Sequence, residues 1–431
     1  MSDYVHPLDY NLSNLHKSMQ YDENGNPSVR VLSYQNPAAL SSYQRTRTIG
    51  TRYMGEYRFM YGESTAIFEI NSLTAGSGSY SIDYTNKYLS LTVGTSVNDR
   101  VVIQSKQYHN YLCSTTMLFY ISFIMNAPTA GLLQSTGCYD DKDGIFFRLN
   151  GLTPEIVIRK QYIETQVIPQ TDWNMDKFLD FDFSKGQTIA IEHDWMGVGR
   201  VRVGFMRNGE LVFAHQFIYT NSIDTTFINQ PSLPVRWELL NANSTSTAST
   251  FKAICGSVYA EGTDIELGFR RSISTGLQPV TINSNVGKGI LAFRLKNTVS
   301  GYTNRSSARI KAYNITTTND IMYRIVMLPS SAMIQSATWQ DMPGRSFCQY
   351  ATNLELVPNW QTMNFACIKE SHVYSANPNK SGQDAEGTED DRSLHVFQNY
   401  DATDSQIMMI IGFKLIHDAQ VRANMSWIEI K

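Results

Sequence analysis

Two runs of alternating apolar and polar residues meet at Asn208-Gly209, and no other feature of this chain restricts its fold as much. The first run is Val201-Arg202-Val203-Gly204-Phe205-Met206-Arg207; the second is Glu210-Leu211-Val212-Phe213-Ala214-His215-Gln216-Phe217. Strand side chains alternate between faces, and Asn-Gly tolerates the positive φ of a type I′ turn, so the segment predicts a tight β-hairpin. A two-residue turn sets Arg207 against Glu210, Gly204 against Phe213 and Arg202 against His215.

The same period recurs along the chain. Leu89, Leu91 and Val93 share one face of a half-buried strand. Ile145 to Leu149 reads as a strand followed by a second Asn-Gly pair, Asn150-Gly151, with Leu152-Thr153-Pro154-Glu155 delaying the next strand, Ile156 to Ile158. Val235 to Leu240 and Phe251 to Val258 flank a polar surface loop, Asn241 to Thr250. Leu291, Phe293 and Leu295, then Ile321, Tyr323 and Ile325, restart the alternation, and the chain closes on Met408 to Ile416 and Trp427 to Ile430. Charged residues are only 17%, and Tyr, Thr, Val, Ile, Asn and Ser dominate where a helical chain would carry Glu and Lys at i, i+4 spacing. No short internal repeat supports a propeller or solenoid.

The fold class expected is therefore all-β: two consecutive antiparallel β-sandwich or jelly-roll domains with an extended N-terminal arm. The arm is residues 1–50, rich in Asn, Tyr, Ser and Pro; the first sandwich is 51–265 and the second 266–431, with the boundary in Gly262 to Ser274. Ala376 to Arg392, polar and acidic, reads as a long mobile loop.

Several function classes lack a basis. The net charge is −3 and no Lys/Arg-rich run occurs, which argues against direct nucleic-acid binding. Cys113, Cys138, Cys255, Cys348 and Cys367 are odd in number and never spaced C-x-x-C, so they read as buried small apolar side chains, not as disulfides or zinc ligands. Met1 to His16 lacks the basic and apolar regions of a signal peptide. The apolar runs Met117 to Met125 and Ile407 to Ile416 are about half the ~20 residues of a spanning helix and read as buried strands, so no membrane span is expected.

The candidate chemical clusters each have a simpler structural reading. Gly197-Val198-Gly199 begins like a dinucleotide loop, but Arg202 stands where the third glycine belongs and a strand follows, so a glycine-eased turn or bulge is expected. Asp140-Asp141-Lys142-Asp143-Gly144 gathers carboxylates as calcium loops do, yet Tyr139 occupies the first EF-hand position and an Asp-Gly turn accounts for the segment. Among Asp176, Asp180 and Asp182, the last two would share one strand face and could hold a cation, as could any solvated strand edge. Glu192-His193-Asp194 places two carboxylates on one side of a strand, the residue types that glycoside cleavage uses, though nothing else supports that chemistry. Ala75-Gly76-Ser77-Gly78-Ser79 misses the nucleophile elbow, and no H-E-x-x-H or Walker sequence occurs. No catalytic, cofactor-binding or metal-ligating residue is assigned. The protein is read as a non-enzyme without a cofactor, its aromatic residues filling cores or subunit contacts.

A longer pattern carries more. Trp173-Asn174-Met175-Asp176-Lys177, Ile189 through Phe205, the Asn208-Gly209 hairpin ending in His215-Gln216-Phe217, Pro231 through Glu238, Ile254-Cys255-Gly256-Ser257-Val258 and Asn304-Arg305 stand in one order. That order resembles a poorly characterised family of virion-associated structural proteins of tailed bacteriophages, especially aquatic ones, and of large algal DNA viruses. The resemblance is strongest from about Gly144 to Gly262; Met196 departs from it where a leucine is usual, as does the short Ser/Thr-rich segment after Asn241. It implies a structural protein located in the virion: a capsid decoration, head or neck fibre, or tail-attached spike. Its partners would be other capsid, neck or tail proteins and further copies of itself, a homo-oligomer with a trimer among the expected orders. The first sandwich would resemble legume-lectin or laminin-type sandwiches, and the alternative function is then a host-receptor or glycan-binding fibre module.

Overall fold

The computed structural model describes residues 20–21, 27–28, 51–62, 67–70, 74–113, 115–196, 200–245, 247–261, 268–374, 385–388 and 395–430. The expected arm therefore lies outside the described residues, except that Gln20–Tyr21 pairs antiparallel with Pro27–Ser28. Gly197-Val198-Gly199, residues 262–267 of the boundary segment and most of 376–392 also lie outside them. Within 376–392, Ala385–Thr388 is a strand paired with the 312–315 stretch, where the sequence suggested loop throughout.

The chain is all-β, in two antiparallel sandwiches. In the first, sheet A has seven strands in the spatial order Ile163–Pro169, Thr153–Lys160, Gly144–Asn150, Leu132–Tyr139, Val235–Asn241, Arg100–Ser105 and Phe68–Glu69. Sheet B has eight: Glu210–Phe217, Val201–Arg207, Gln187–His193, Met117–Ile124, Ser249–Glu261, Tyr88–Val93 and Ser79–Asp83, with Thr51–Arg58 also on Ser249–Glu261. Strands late in sequence are inserted between early ones in both sheets, the crossed connectivity of a jelly roll. Phe119, Phe123, Ile189, Ile191 and Phe205 from sheet B meet Ile145, Phe147, Trp237 and Leu239 from sheet A in one core. Trp237 reaches across it, donating its indole N–H to the Ser122 carbonyl at 3.3 Å. Gly256 makes room for that ring, because a Cβ there would meet Trp237 at 3.4 Å and Val235 at 3.3 Å.

In the second sandwich, sheet C has six strands built around Ala419–Ile430 and Ser307–Thr317, and sheet D has seven built around Lys288–Leu295, Ile407–Lys414 and Ile321–Leu328. Sheet D is covered on both faces. Met408 and Ile410 join the core shared with sheet C, whereas Met409, Ile411 and Phe413 pack beneath Trp360 and Met333 on the other side. Two apolar faces explain why Ile407 to Phe413 is apolar without alternation, unlike Tyr88–Val93, which has one face in the core.

The Asn208-Gly209 hairpin forms as expected, with φ of 52° and 85° at the two turn residues. Arg207 faces Glu210 and Gly204 faces Phe213, but a bulge then intervenes, so His215 faces Val203 and Arg202 faces Gln216. The expected Arg202 and His215 pairing is thus corrected by one residue, since a bulge sets two residues opposite one. Pro154 delays nothing: the strand begins at Thr153, opposite Asn150. Only Cys138 and Cys348 are buried, while Cys113 and Cys367 are exposed and Cys255 is intermediate, which corrects the reading of all five as core residues; all are free thiols.

Candidate functional site

Glu192 ends up inside the protein and opposite Arg202 on the neighbouring strand. Arg202 Nη2 donates to Glu192 Oε1 at 2.7 Å, with no exposure of either side chain, and the guanidinium lies 4.1 Å from the centre of the Phe213 ring. His193 points the other way, stacked on Phe119 at 5.9 Å and edge-on to Phe227 at 6.3 Å. Burial pushes its imidazole down to about 4, and neither ring nitrogen has a hydrogen-bond partner among the described residues. Asp194, just beyond the strand, is also fully buried. A glycoside bond cannot be reached by these carboxylates, because a general acid must come within hydrogen-bond distance of the leaving oxygen.

The other acids are likewise spent on structure. Asp140 Oδ1 accepts the backbone N–H of Lys142 and of Asp143, each at 2.8 Å, and Oδ2 accepts the Tyr108 hydroxyl at 2.9 Å. Asp141 sits between Arg100 at 2.9 Å and Arg236 at 2.7 Å. Burial raises its pKa, but the two guanidiniums outweigh burial and hold it below the usual range. Asp143 Oδ1 accepts the Asn229 N–H at 2.8 Å and joins a distant loop to the turn, and burial raises its pKa. Asp176 and Asp180 both pair with Arg207, at 2.8 and 2.7 Å, and its guanidinium lies 4.3 Å from the Phe178 ring centre. Residues 173–186 form no strand, so Asp180 and Asp182 share no strand face; Asp182 instead accepts the Ser184 N–H at 2.9 Å. No group of three or more His, Cys, Asp or Glu side chains among the described residues is placed to hold a metal ion.

Residues named in the sequence for other reasons, together with Arg100 and a set of tyrosines that it did not single out, form two surfaces. On the outer side of sheet A, Arg236, fully buried, bonds Asp141 and Glu238, while Arg100 reaches Glu238 at 2.8 Å and Tyr139 donates to Glu238 at 3.1 Å. The second sandwich touches the first beside this network. Arg305 lies 4.6 Å from the Tyr108 ring centre and donates to the Asn399 carbonyl at 2.9 Å, and the Tyr400 N–H reaches Glu69 at 3.4 Å.

The second surface is the outer side of sheet B toward its Thr51–Arg58 and Tyr88–Val93 edge. Tyr53 and Tyr259 are cross-strand partners with ring centres 5.9 Å apart, and Tyr120 follows at 6.3 Å. Adjacent rings stand at 68° and 73°, so Tyr259 is met edge-to-face from both sides. Tyr53 is 54% exposed; Tyr88, Tyr120 and Tyr259 are half-buried. One carboxylate on this surface, Glu56, is paired within the protein. Arg58 Nη2 donates to Glu56 Oε2 at 2.6 Å, Tyr53 donates to the same oxygen at 3.3 Å, and Lys252 Nζ lies 4.9 Å from the Tyr88 ring centre. Burial, then the Glu56 charge, lifts the Tyr53 phenol to about 12. A signal for this surface existed in Tyr88-x-Ser90-x-Thr92, Tyr120-x-Ser122 and Ser257-x-Tyr259, where the polar positions of alternating strands carry hydroxyls rather than charges.

No protein-family model matches the sequence, and no curated protein matches it. Solved structures similar to it include an endo-1,3-β-glucanase from Streptomyces sioyaensis, 12% identical over 50% of this chain and 98% of that one, with a TM-score of 0.38. Arcelin-5, a lectin-like defence protein from Phaseolus vulgaris, is 11% identical over 49% of this chain and 99% of its own, at 0.33. A legume lectin-like domain from Entamoeba histolytica is 10% identical over 46% and 91%, at 0.30. At those scores the likenesses carry no argument about what this chain does. Among the described residues no helix is long and apolar enough to cross a membrane.

Proposed function

We propose that the chain is a structural subunit of a virus particle, a capsid decoration, head or neck fibre, or tail-attached spike, that acts by assembling with other virion proteins and with copies of itself. One observation supports this reading: many of the described residues that give the sequence its resemblance to virion proteins are consumed by the architecture. Trp173 is buried in the first core. Asn174 clips Gln216 through both its amide nitrogen and its oxygen, at 2.9 Å each. Glu192 and Arg202 form the buried pair, Asn208-Gly209 is the turn, and Arg236 and Glu238 belong to the ionic network. Asn304 donates to the Lys296 and Phe347 carbonyls, and Arg305 joins the two sandwiches. A sequence word of this kind specifies a shape, which is what a particle component contributes.

The test is the solution mass of the purified chain, by light scattering with negative-stain microscopy, followed by mixing with particles that lack it. A stable oligomer, or a monomer that becomes particle-bound, agrees with the proposal. A chain that neither self-associates nor joins the particles contradicts it.

A further inference from the structure

The tyrosine surface of sheet B has no part in the packing just described, and its chemistry selects a ligand. We propose that Tyr53, Tyr259 and Tyr120 form a binding face for a neutral, β-linked oligosaccharide. The three strands that carry Tyr53, Tyr259 and Tyr120 lie side by side, so the rings follow one another across the sheet at 5.9 and 6.3 Å. The alternating burial along Tyr88–Val93 and Met117–Ile124 puts one side of each strand in the core and leaves the other outward.

A pyranose with equatorial substituents has flat C–H faces and a rim of hydroxyls. Tyrosine matches both, having an apolar ring and a polar tip at small cost in rotamer freedom. The rest of the surface extends the match. Ser122 and Thr188 hydroxyls are paired at 2.8 Å, and Ser257 faces Tyr120 across the strands. Charge decides between ligands. Glu56, beside Tyr53, is already paired with Arg58, and Lys252, whose charge the Tyr88 ring does not cancel, stands seven residues from Tyr259 along the same strand, so the row itself favours a neutral ligand. A second copy of the chain is the weaker occupant, since a homodimer interface core is apolar and aromatic, whereas hydroxyl groups alternate with the rings here.

The experiment is titration calorimetry of the full chain with cellohexaose, xylohexaose and mannohexaose, and with hexagalacturonate as the acidic comparator. At least one neutral probe is expected to bind with little dependence on salt. Y259A and Y53A should each weaken it by about tenfold, as loss of a stacked ring implies, while Y259F retains it. Unchanged thermal melting of the alanine variants separates lost binding from lost folding, and Y259F supplies a folded control should Y259A melt early. Failure of all three neutral probes, binding that survives Y53A with Y259A, or salt-sensitive binding of hexagalacturonate alone would overturn the proposal. None of these readouts depends on whether the chain joins a particle, so the two readings fail separately.

Discussion

Glu192 and Arg202 are the pair whose removal should be felt most in the first sandwich. Breaking a buried ion pair by neutralising one partner strands the other charge, at about 3–5 kcal/mol. Glu192→Gln is therefore expected to lower the denaturant midpoint substantially, and a midpoint within error of the parent would show that the pair is better hydrated than its burial indicates. His193 and His109 make a separate prediction about acid. Burial depresses His193 to about 4 and His109 to about 3, the latter also through the nearby His395 charge, against about 6.5 when unfolded. Below pH 6.5 the unfolded chain takes up protons that the folded chain refuses, so stability present at neutral pH is lost as pH falls from about 6.5 toward 4. Denaturation measured at pH 7.5 and pH 5 should show this loss, and His193→Phe should make it shallower; an unaltered pH slope would remove His193 as a cause. At this scale the sequence was a poor guide. Glu192-His193-Asp194 was set aside as a site of glycoside cleavage, yet the buried pairing of Glu192 with Arg202 was not legible, because adjacency in sequence says nothing of what closes over a strand end.

Secondary-structure elements were far more legible. Val201–Arg207 and Glu210–Phe217 have the limits that the alternation indicated, because period and turn chemistry agree there. What the alternation hid was the bulge between Val203 and Gly204, since a one-residue slip changes register without changing composition. Gly209, at a φ of 85°, should tolerate alanine poorly, with Gly209→Ala costing about 1 kcal/mol. A thermal melt no lower than the parent's would mean that the turn can relax to another type. The apolar run at Ile407–Lys414 was legible as a buried strand, but its second covering layer was not. That layer comes from residues around Met333 and Trp360, distant in sequence and individually unremarkable.

At the scale of the whole molecule, the described residues of the two sandwiches meet through polar and aromatic contacts that include Arg305 with Tyr108, Tyr400 with Glu69 and Arg236 with Tyr400. Interfaces of that kind normally permit relative motion of domains, so Arg305→Ala should increase the radius of gyration in X-ray scattering while leaving each sandwich folded. An unchanged scattering profile would place the rigidity elsewhere. The all-β class could be read from the sequence because alternation is a local property. The contact between the halves could not, and the hydroxyl-bearing strand positions of the tyrosine surface were legible without their arrangement, because each depends on which strands become neighbours. The central claim, that this chain is a structural component of a virus particle, is tested most directly by quantitative mass spectrometry of gradient-purified particles from its source. The proposal predicts the chain at a fixed copy number relative to the major capsid protein through successive gradients, whereas depletion of the chain with each purification step would contradict it.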